Sequence, residues 1–389
     1  MRNIDLKMAE LNKKFKANII NIGTDIIEVD KIPFSSPTAN WMTYGGIPVG
    51  KITEFYGGEG GGKTTSALDI CANAQKQFNR VYEEKLKSIN TQIVELEHSE
   101  SKESKKKLAK LIEEFDQLKE KGAKVVVYMD AEQTLDVKWA QLLGVDTESM
   151  ILVRPQEQTA EEILQIAIDL ISTGDVGLCV LDSIPMLVSQ NIFDESLEKK
   201  SYGGISQALT TFCSKVTPHL VQNQCAFIGI NQIREDLSSM YNTTSTPGGK
   251  MWKHACSLRL RFRKDTLLDI NNKELTSRAE NPAGNKVAIE ISKTKVCKPD
   301  RRIGYYTLNY TNGIDVLADT IMVALQYNVI RQGGSWFYFL NETGNIEQDT
   351  EGKEIKFQGK DKLLDKLRND ENFVELVQAR LNKVMYNEI

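Results

Sequence analysis

Nine residues, GGEGGGKTT at positions 57–65, constrain this chain more than any others. Counted from Gly57, they meet the spacing G-x-x-x-x-G-K-[ST], with Gly62, Lys63 and Thr64 in the closing positions. The run KITEFY before them reads as a strand and SALDICANAQ after them as a helix, the context in which this spacing binds phosphate. Glycines let successive backbone N–H groups converge on phosphate oxygens, and the helix N-terminus adds a favourable field. Gly57, Gly58, Glu59, Gly60, Gly61 and Gly62 are the expected cradle, and Thr65 completes the nucleotide-binding run. Lys63 is expected to reach the β- and γ-phosphates, and the Thr64 hydroxyl to ligate Mg2+. A second acid should close the metal site from a strand end. Asp182 after GLCVL and Asp130 after KVVVYM both carry that signature.

The rest of the chain suits such a loop. KITEFYG, AKVVVYMD, MILVRP, GLCVLDS and QCAFIGIN are continuous apolar runs separated by helical stretches. Runs of this kind belong to strands covered on both faces, so an α/β core with a mostly parallel sheet is expected. Ile4, Met8, Leu11 and Phe15 predict an N-terminal helix. Tyr82, Leu86, Ile89, Ile93 and Leu96, then Leu108, Leu111, Phe115 and Leu118, predict two short amphipathic helices forming an inserted hairpin over 80–121. Beyond about Thr311, a helical stretch, the aromatic run GGSWFYFLNETGN and two charged helical segments predict a small α+β domain. The expected organisation is 1–35 as helix and linker, 36–310 as core, and 311–389 as the small domain.

Charge narrows the class. The 389 residues carry 49 Lys+Arg against 53 Asp+Glu, a net charge of −4, which argues against a wholly basic coat for nucleic acid. Lys250–Arg302 is the exception, with fourteen basic residues against six acids. No run of about 18 apolar residues is present, and MRNIDLKMAELNKKFKANII lacks the apolar core of a signal peptide. Six scattered cysteines without a CxxC pair suit reduced thiols. A soluble protein of the cytoplasm with no membrane partner is therefore expected.

In order and spacing, GGIPVGKITEFYGGEGGGKTT, YMDAEQTLD, VLDSIPML, INQIRE and TPGGKMWKH resemble the RecA recombinase family, from the N-terminal helix to the C-terminal domain. The resemblance implies a RecA-like P-loop ATPase core with an N-terminal polymerisation helix. It implies that Glu132 activates the attacking water and that Asp182 takes the second metal position. Asp136 then lies near the adenine of ATP and Trp139 stacks on it, a ring that keeps its π-face where the family usually has Tyr. Gln232 matches the glutamine that senses the γ-phosphate, and Lys293 and Lys295 match lysines that reach a neighbouring subunit's ATP.

Two loops are implied to bind DNA, at about Asp194–Gly204 and Glu235–Gly249. Tyr202, Met240 and Tyr241 are their apolar candidates for wedging between bases or stacking on them. Gly203, Gly204, Gly248 and Gly249 are candidates for backbone donors to phosphate, with Arg234 and Lys250 as flanking cations. The sequence departs from the family pattern at Gln207 and Ser214, where arginines are usual, and at His254, where a phenylalanine is usual. The hairpin is a further departure, and with the others it points to a divergent bacterial or phage relative. The implied activity is ATP hydrolysis coupled to strand exchange. Single-stranded DNA, homologous duplex DNA, further copies of the chain, and a loader or single-strand-binding protein are the implied partners. A hexameric DNA motor or helicase and an ATP-regulated DNA-binding scaffold are the alternatives. Rings alone in electron micrographs would favour the first, and absence of DNA-stimulated hydrolysis the second.

Overall fold

A computed structural model of the chain describes residues 3–15, 29–97, 101–193, 204–235 and 244–386. The chain divides into a first unit, Met1–Asp30, and a second, Lys31–Ile389. In the first unit the expected helix runs Asn3–Phe15. Among the described residues no helix is long and apolar enough to cross a membrane.

The second unit is built on a ten-stranded sheet. Its order is Gly313–Ile314, Ile303–Asn309, Gly284–Thr294, Leu258–Leu268, Ile52–Gly57, Ala226–Gln232, Val176–Asp182, Val125–Asp130 and Ile151–Val153, with Glu274–Leu275 pairing off this path. From Leu258–Leu268 to Ile151–Val153 every pairing is parallel. The strands beyond Leu258–Leu268 pair antiparallel. All seven residues of Val176–Asp182 are buried, as a strand covered on both faces must be. Val126 and Tyr128 face a core with Ala67, Leu68 and Cys71 of the helix Lys63–Glu97. Val127 and Met129 face the other core, with Leu164 of the helix Ala160–Ser172 and Phe212 of the helix Gly204–Gln222. The expected α/β core is thus present. Gly313–Ile314 still pairs with the main sheet, so that sheet continues past position 310.

The inserted hairpin differs from expectation. Its first arm is not a separate short helix; it is the far end of the P-loop helix, which runs unbroken for 35 residues from Lys63 to Glu97. No Gly or Pro interrupts that stretch, so nothing stops propagation where the core packing ends. The return helix is Lys102–Lys121, capped by the Ser101 hydroxyl, which accepts from the Ser104 amide. Ile89 and Ile93 are buried, Lys85 pairs with Glu114 at 3.6 Å, and the predicted stripe residues of the return helix are half-buried.

Toward the C-terminus, a three-stranded antiparallel sheet (Ile330–Gly333, Trp336–Phe339, Lys356–Gln358) packs with the helices Val316–Gln326, Lys360–Asn369 and Glu371–Tyr386 around Phe339, Leu363 and Phe373. Asp319 of the first of these helices is buried and accepts from the hydroxyls of Ser36 and Thr38 and from the Thr38 amide, 3.1 Å away. Burial pushes its pKa up to about 6, although the Ser36 and Thr38 hydrogen bonds pull it down. Between the usual 3.8 and about 6 the folded chain therefore holds this proton more tightly than the unfolded chain, and stability falls as pH rises through that window. Asp319→Asn should flatten the decline by up to about 3 kcal/mol, measured as urea midpoints from pH 4 to 6.5. Asp69, likewise raised to about 6 by burial, keeps its own share of the slope. An unchanged slope in the variant would place the titration elsewhere.

Candidate active site

The P-loop leaves the end of strand Ile52–Gly57, and its helix begins at Lys63. A Cβ at Gly57 would lie 2.0 Å from the Phe262 carbonyl oxygen on the adjacent strand, so only glycine fits there. At Gly62, φ is +89°, a conformation glycine adopts without strain. Gly58, Glu59 and Gly60 are exposed at the apex of the loop, whereas Gly61 is buried. Lys63 is buried, and its Nζ donates to the carbonyls of Gly58 at 2.6 Å and Gly57 at 3.2 Å. Burial lowers its pKa, and the carboxylates of Asp182, Glu132 and Glu59 oppose that shift.

The two candidate metal acids separate clearly. Thr64 donates its hydroxyl to Asp182 Oδ2 at 2.8 Å, and Tyr128 donates to the same oxygen at 2.7 Å. Burial raises the pKa of Asp182, and these two hydrogen bonds hold it down. Asp130, by contrast, accepts from the backbone amides of Thr134 and Leu135, both at 3.1 Å, and pairs with Arg154 at 3.4 Å. It organises the turn that carries Glu132. An all-oxygen pair of Thr64 hydroxyl and Asp182 carboxylate has the donor chemistry of a hydrated magnesium site.

Glu132 lies beside this pair. Its Oε1 accepts from the Ser183 hydroxyl and from Gln232 Nε2 at 3.3 Å, so three strand ends converge on one carboxylate. Ser183 was not singled out in the sequence, although it follows Asp182 directly. Asp136 caps the helix Val137–Leu142, its Oδ1 accepting from the amides of Lys138 and Trp139. Trp139 is half-buried and lines a cleft of about 270 Å³ with Gly60–Thr65, Asn285, Leu308 and Tyr310. Sequence reasoning missed these last three residues. The register that pairs Asn285 with Leu308 brings them to the loop, and Tyr310 donates to Asn285 Oδ1 at 2.9 Å.

The remaining candidates fall at the edges of the site. Lys293 Nζ donates to the carbonyls of Lys253 and His254, and Lys295 Nζ to that of His254 at 3.0 Å, closing the C-terminal end of the helix Gly249–Ala255. Burial lowers the pKa of Lys293, and neighbouring Lys295 lowers it further. Arg234 pairs with Ser245 in a two-residue ladder, Arg234–Glu235 with Thr244–Ser245, that forms the stem of the second loop. Gly248 and Gly249 both have positive φ at the start of the helix Gly249–Ala255, on which Lys250 is exposed. At Gly204 a Cβ would meet the Ser189 hydroxyl at 1.9 Å, a packing reason for glycine. Tyr202, Gly203, Met240 and Tyr241 lie outside the described residues.

A P-loop, an acid pair at adjacent strand ends and a glutamine at the root of a long loop define the class as a P-loop nucleotide-binding α/β protein. The model of the RecA N-terminal domain matches residues 2–82 and 89–315, most of the chain, and the chain belongs to the RecA family. Protein RecA of Clostridium acetobutylicum is 28% identical over 344 residues, covering 87% of this chain and 82% of the relative. Protein RecA of Thermus aquaticus is 28% identical over 385 residues, covering 98% and 93%. That of Thermus thermophilus is 29% identical over 357 residues, covering 91% and 85%. The unmatched residues 83–88 fall in the hairpin's first arm.

Proposed function

We propose that the chain is an ATP-dependent homologous recombinase of the cytoplasm, acting as a helical filament on single-stranded DNA and exchanging strands with a homologous duplex. The observation that carries this reading is the Gln232–Glu132 hydrogen bond. It ties the carboxylate nearest the metal pair to the strand that runs directly into the second loop.

The geometry supports the following roles. Loop amides and Lys63 bind the phosphates of ATP, and Trp139 supplies the ring for the base. Thr64 and Asp182 would hold magnesium, which when bound neutralises phosphate charge. Glu132 receives Ser183 and Gln232 on Oε1, so Oε2 is the oxygen that orients a water and takes its proton as ATP goes to ADP and phosphate. Alignment of that water supplies much of the effect. The second-loop glycines and Arg234, Lys250 and the first loop grip the DNA backbone. The exposed Ile4 and Leu6 of the N-terminal helix suit a head-to-tail contact with another copy, and contacts that do not close make filaments. Negative-stain images with single-stranded DNA and a slowly hydrolysed ATP analogue should show helical filaments; rings alone would overturn the reading.

Two expectations follow for parts far from the P-loop. In an assembled filament, Lys293→Ala and Lys295→Ala should each lower hydrolysis, and mutant subunits should drag down wild-type ones in mixtures. Rates that average linearly on mixing would mean that these lysines serve only the helix end they close. The hairpin is nearly neutral, with nine lysines against ten acids over 81–121, so it is a poor grip on DNA. Replacing 82–121 by a short Gly/Ser linker should leave folding, DNA-stimulated hydrolysis and the salt dependence of DNA binding intact, since loop length changes closure entropy only slowly. A shallower salt slope in the deletion would assign DNA contacts to the hairpin.

A further inference from the structure

Glu54 is a charged residue with no exposed surface in the middle of the P-loop strand, three residues before Gly57. An acid in that position must have its charge and both oxygens satisfied, and here they are. Oε1 accepts from Trp252 Nε1 at 2.9 Å and from Asn231 Nδ2 at 2.8 Å, and Oε2 takes Arg259 Nε. Each of these partners leads elsewhere. Asn231 also donates to the Pro247 carbonyl at 2.9 Å and accepts from the Gln232 amide at 3.0 Å, so its side-chain groups are committed too. Arg259 reaches the Thr246 hydroxyl at 3.4 Å and lies over the Tyr56 ring, its guanidinium carbon 4.7 Å from the centroid. Trp252 is wholly buried in the helix Gly249–Ala255, which leaves the second loop.

Directly or through these partners, one carboxylate therefore fastens five pieces together: the P-loop strand, the strand end that carries Gln232, the strand Leu258–Leu268 that carries Arg259, the returning stem of the second loop at residues 246–247, and the helix after it. A displacement of Gln232 moves Asn231, and Asn231 cannot move without releasing either Glu54 or Pro247. Removing one member of a closed buried network leaves the others unpaired, so such a network favours discrete arrangements over gradual ones. We infer that Glu54 is a positioning residue that makes the second-loop stem follow the state of Gln232. This deepens the recombinase reading and rests on it.

The test measures affinity of the full-length chain for a labelled thymidine oligonucleotide, once with a non-hydrolysable ATP analogue and once with ADP. The ratio of the two affinities is the readout, because a merely structural role would lower stability without moving it. Affinity for a fluorescent ATP analogue is measured alongside. Glu54→Gln places an amide among three donors, and Trp252→Phe removes one N–H while keeping a ring in the pocket. The ratio should collapse at least tenfold in Glu54→Gln and about threefold in Trp252→Phe, with ATP-analogue affinity within threefold of wild type. If Glu54→Gln does not fold, Trp252→Phe decides alone. A wild-type ratio in the folded variants, or a ratio that falls only in step with ATP-analogue affinity, overturns the inference and leaves the recombinase reading standing. A wild-type chain whose DNA affinity ignores the nucleotide overturns both.

Discussion

Glu132→Gln is expected to keep ATP and DNA binding and to lose about 10²–10⁴-fold in DNA-stimulated hydrolysis. The substitution keeps the shape of the phosphate cradle, because Lys63 hydrogen-bonds the Gly57 and Gly58 carbonyls, and it removes only one of the three carboxylates that favour the charged form of Lys63. It replaces the carboxylate by a neutral amide that cannot accept the proton of the attacking water. Shape is nearly conserved, and the amide oxygen can still accept from Ser183 and Gln232. Turnover and single-stranded DNA affinity, measured on the same preparation, give the check. Hydrolysis at the wild-type rate would remove Glu132 from the chemistry. Asp130 is a poor substitute base, being buried and committed to the Thr134 and Leu135 amides.

A second large effect is expected inside the P-loop, where two adjacent glycines should behave in opposite ways. Gly57→Ala puts a methyl group 2.0 Å from the Phe262 carbonyl oxygen and 3.0 Å from its carbon. Both are backbone atoms of a paired strand, so no side chain can swing aside. Relief requires parting Leu258–Leu268 from the P-loop strand, at about 3–5 kcal/mol of stability and with loss of the cradle's shape. Gly58→Ala meets nothing within 4 Å and should cost no more than about 0.5 kcal/mol. Thermal midpoints and binding of a fluorescent ATP analogue for the two variants provide the comparison. Equal losses would mean that the motif tolerates no side chain anywhere, whatever the space around each glycine.

What could be read in the sequence follows from how locally each feature is encoded. The P-loop and the buried parallel strands declare themselves because a strand covered on both faces needs an unbroken apolar run, as in Val176–Asp182. The strand Leu258–Leu268 is harder to see: Leu258, Leu260 and Phe262 are buried, but arginines stand between them, so the segment reads first as a basic stretch. The P-loop helix hid its own length. Up to Gln75 it is buried nearly all round, and from Tyr82 it carries only a stripe, so one helix looks like two segments with different patterns. Asp182 and Asp130 have the same local signature; the resemblance assigned the metal position to Asp182, and in the fold it is Asp182 that accepts from Thr64. Glu54, Asn285 and Tyr310 carry no local mark at all. Their importance comes from strand register, which joins Asn285 to Leu308 and sets Glu54 among partners 177 to 205 positions away.

That unbroken helix has a mechanical consequence. Its first residue is Lys63, which sits on the phosphate loop, and its last is Glu97, at about 1.5 Å of rise per residue roughly 50 Å away. A rod anchored at one end works as a pointer: a tilt of about 5° in the first turn carries the far end about 4–5 Å. Any rigid tilt of this helix about Lys63 would therefore be largest near Glu97, where a label would report it without touching the P-loop.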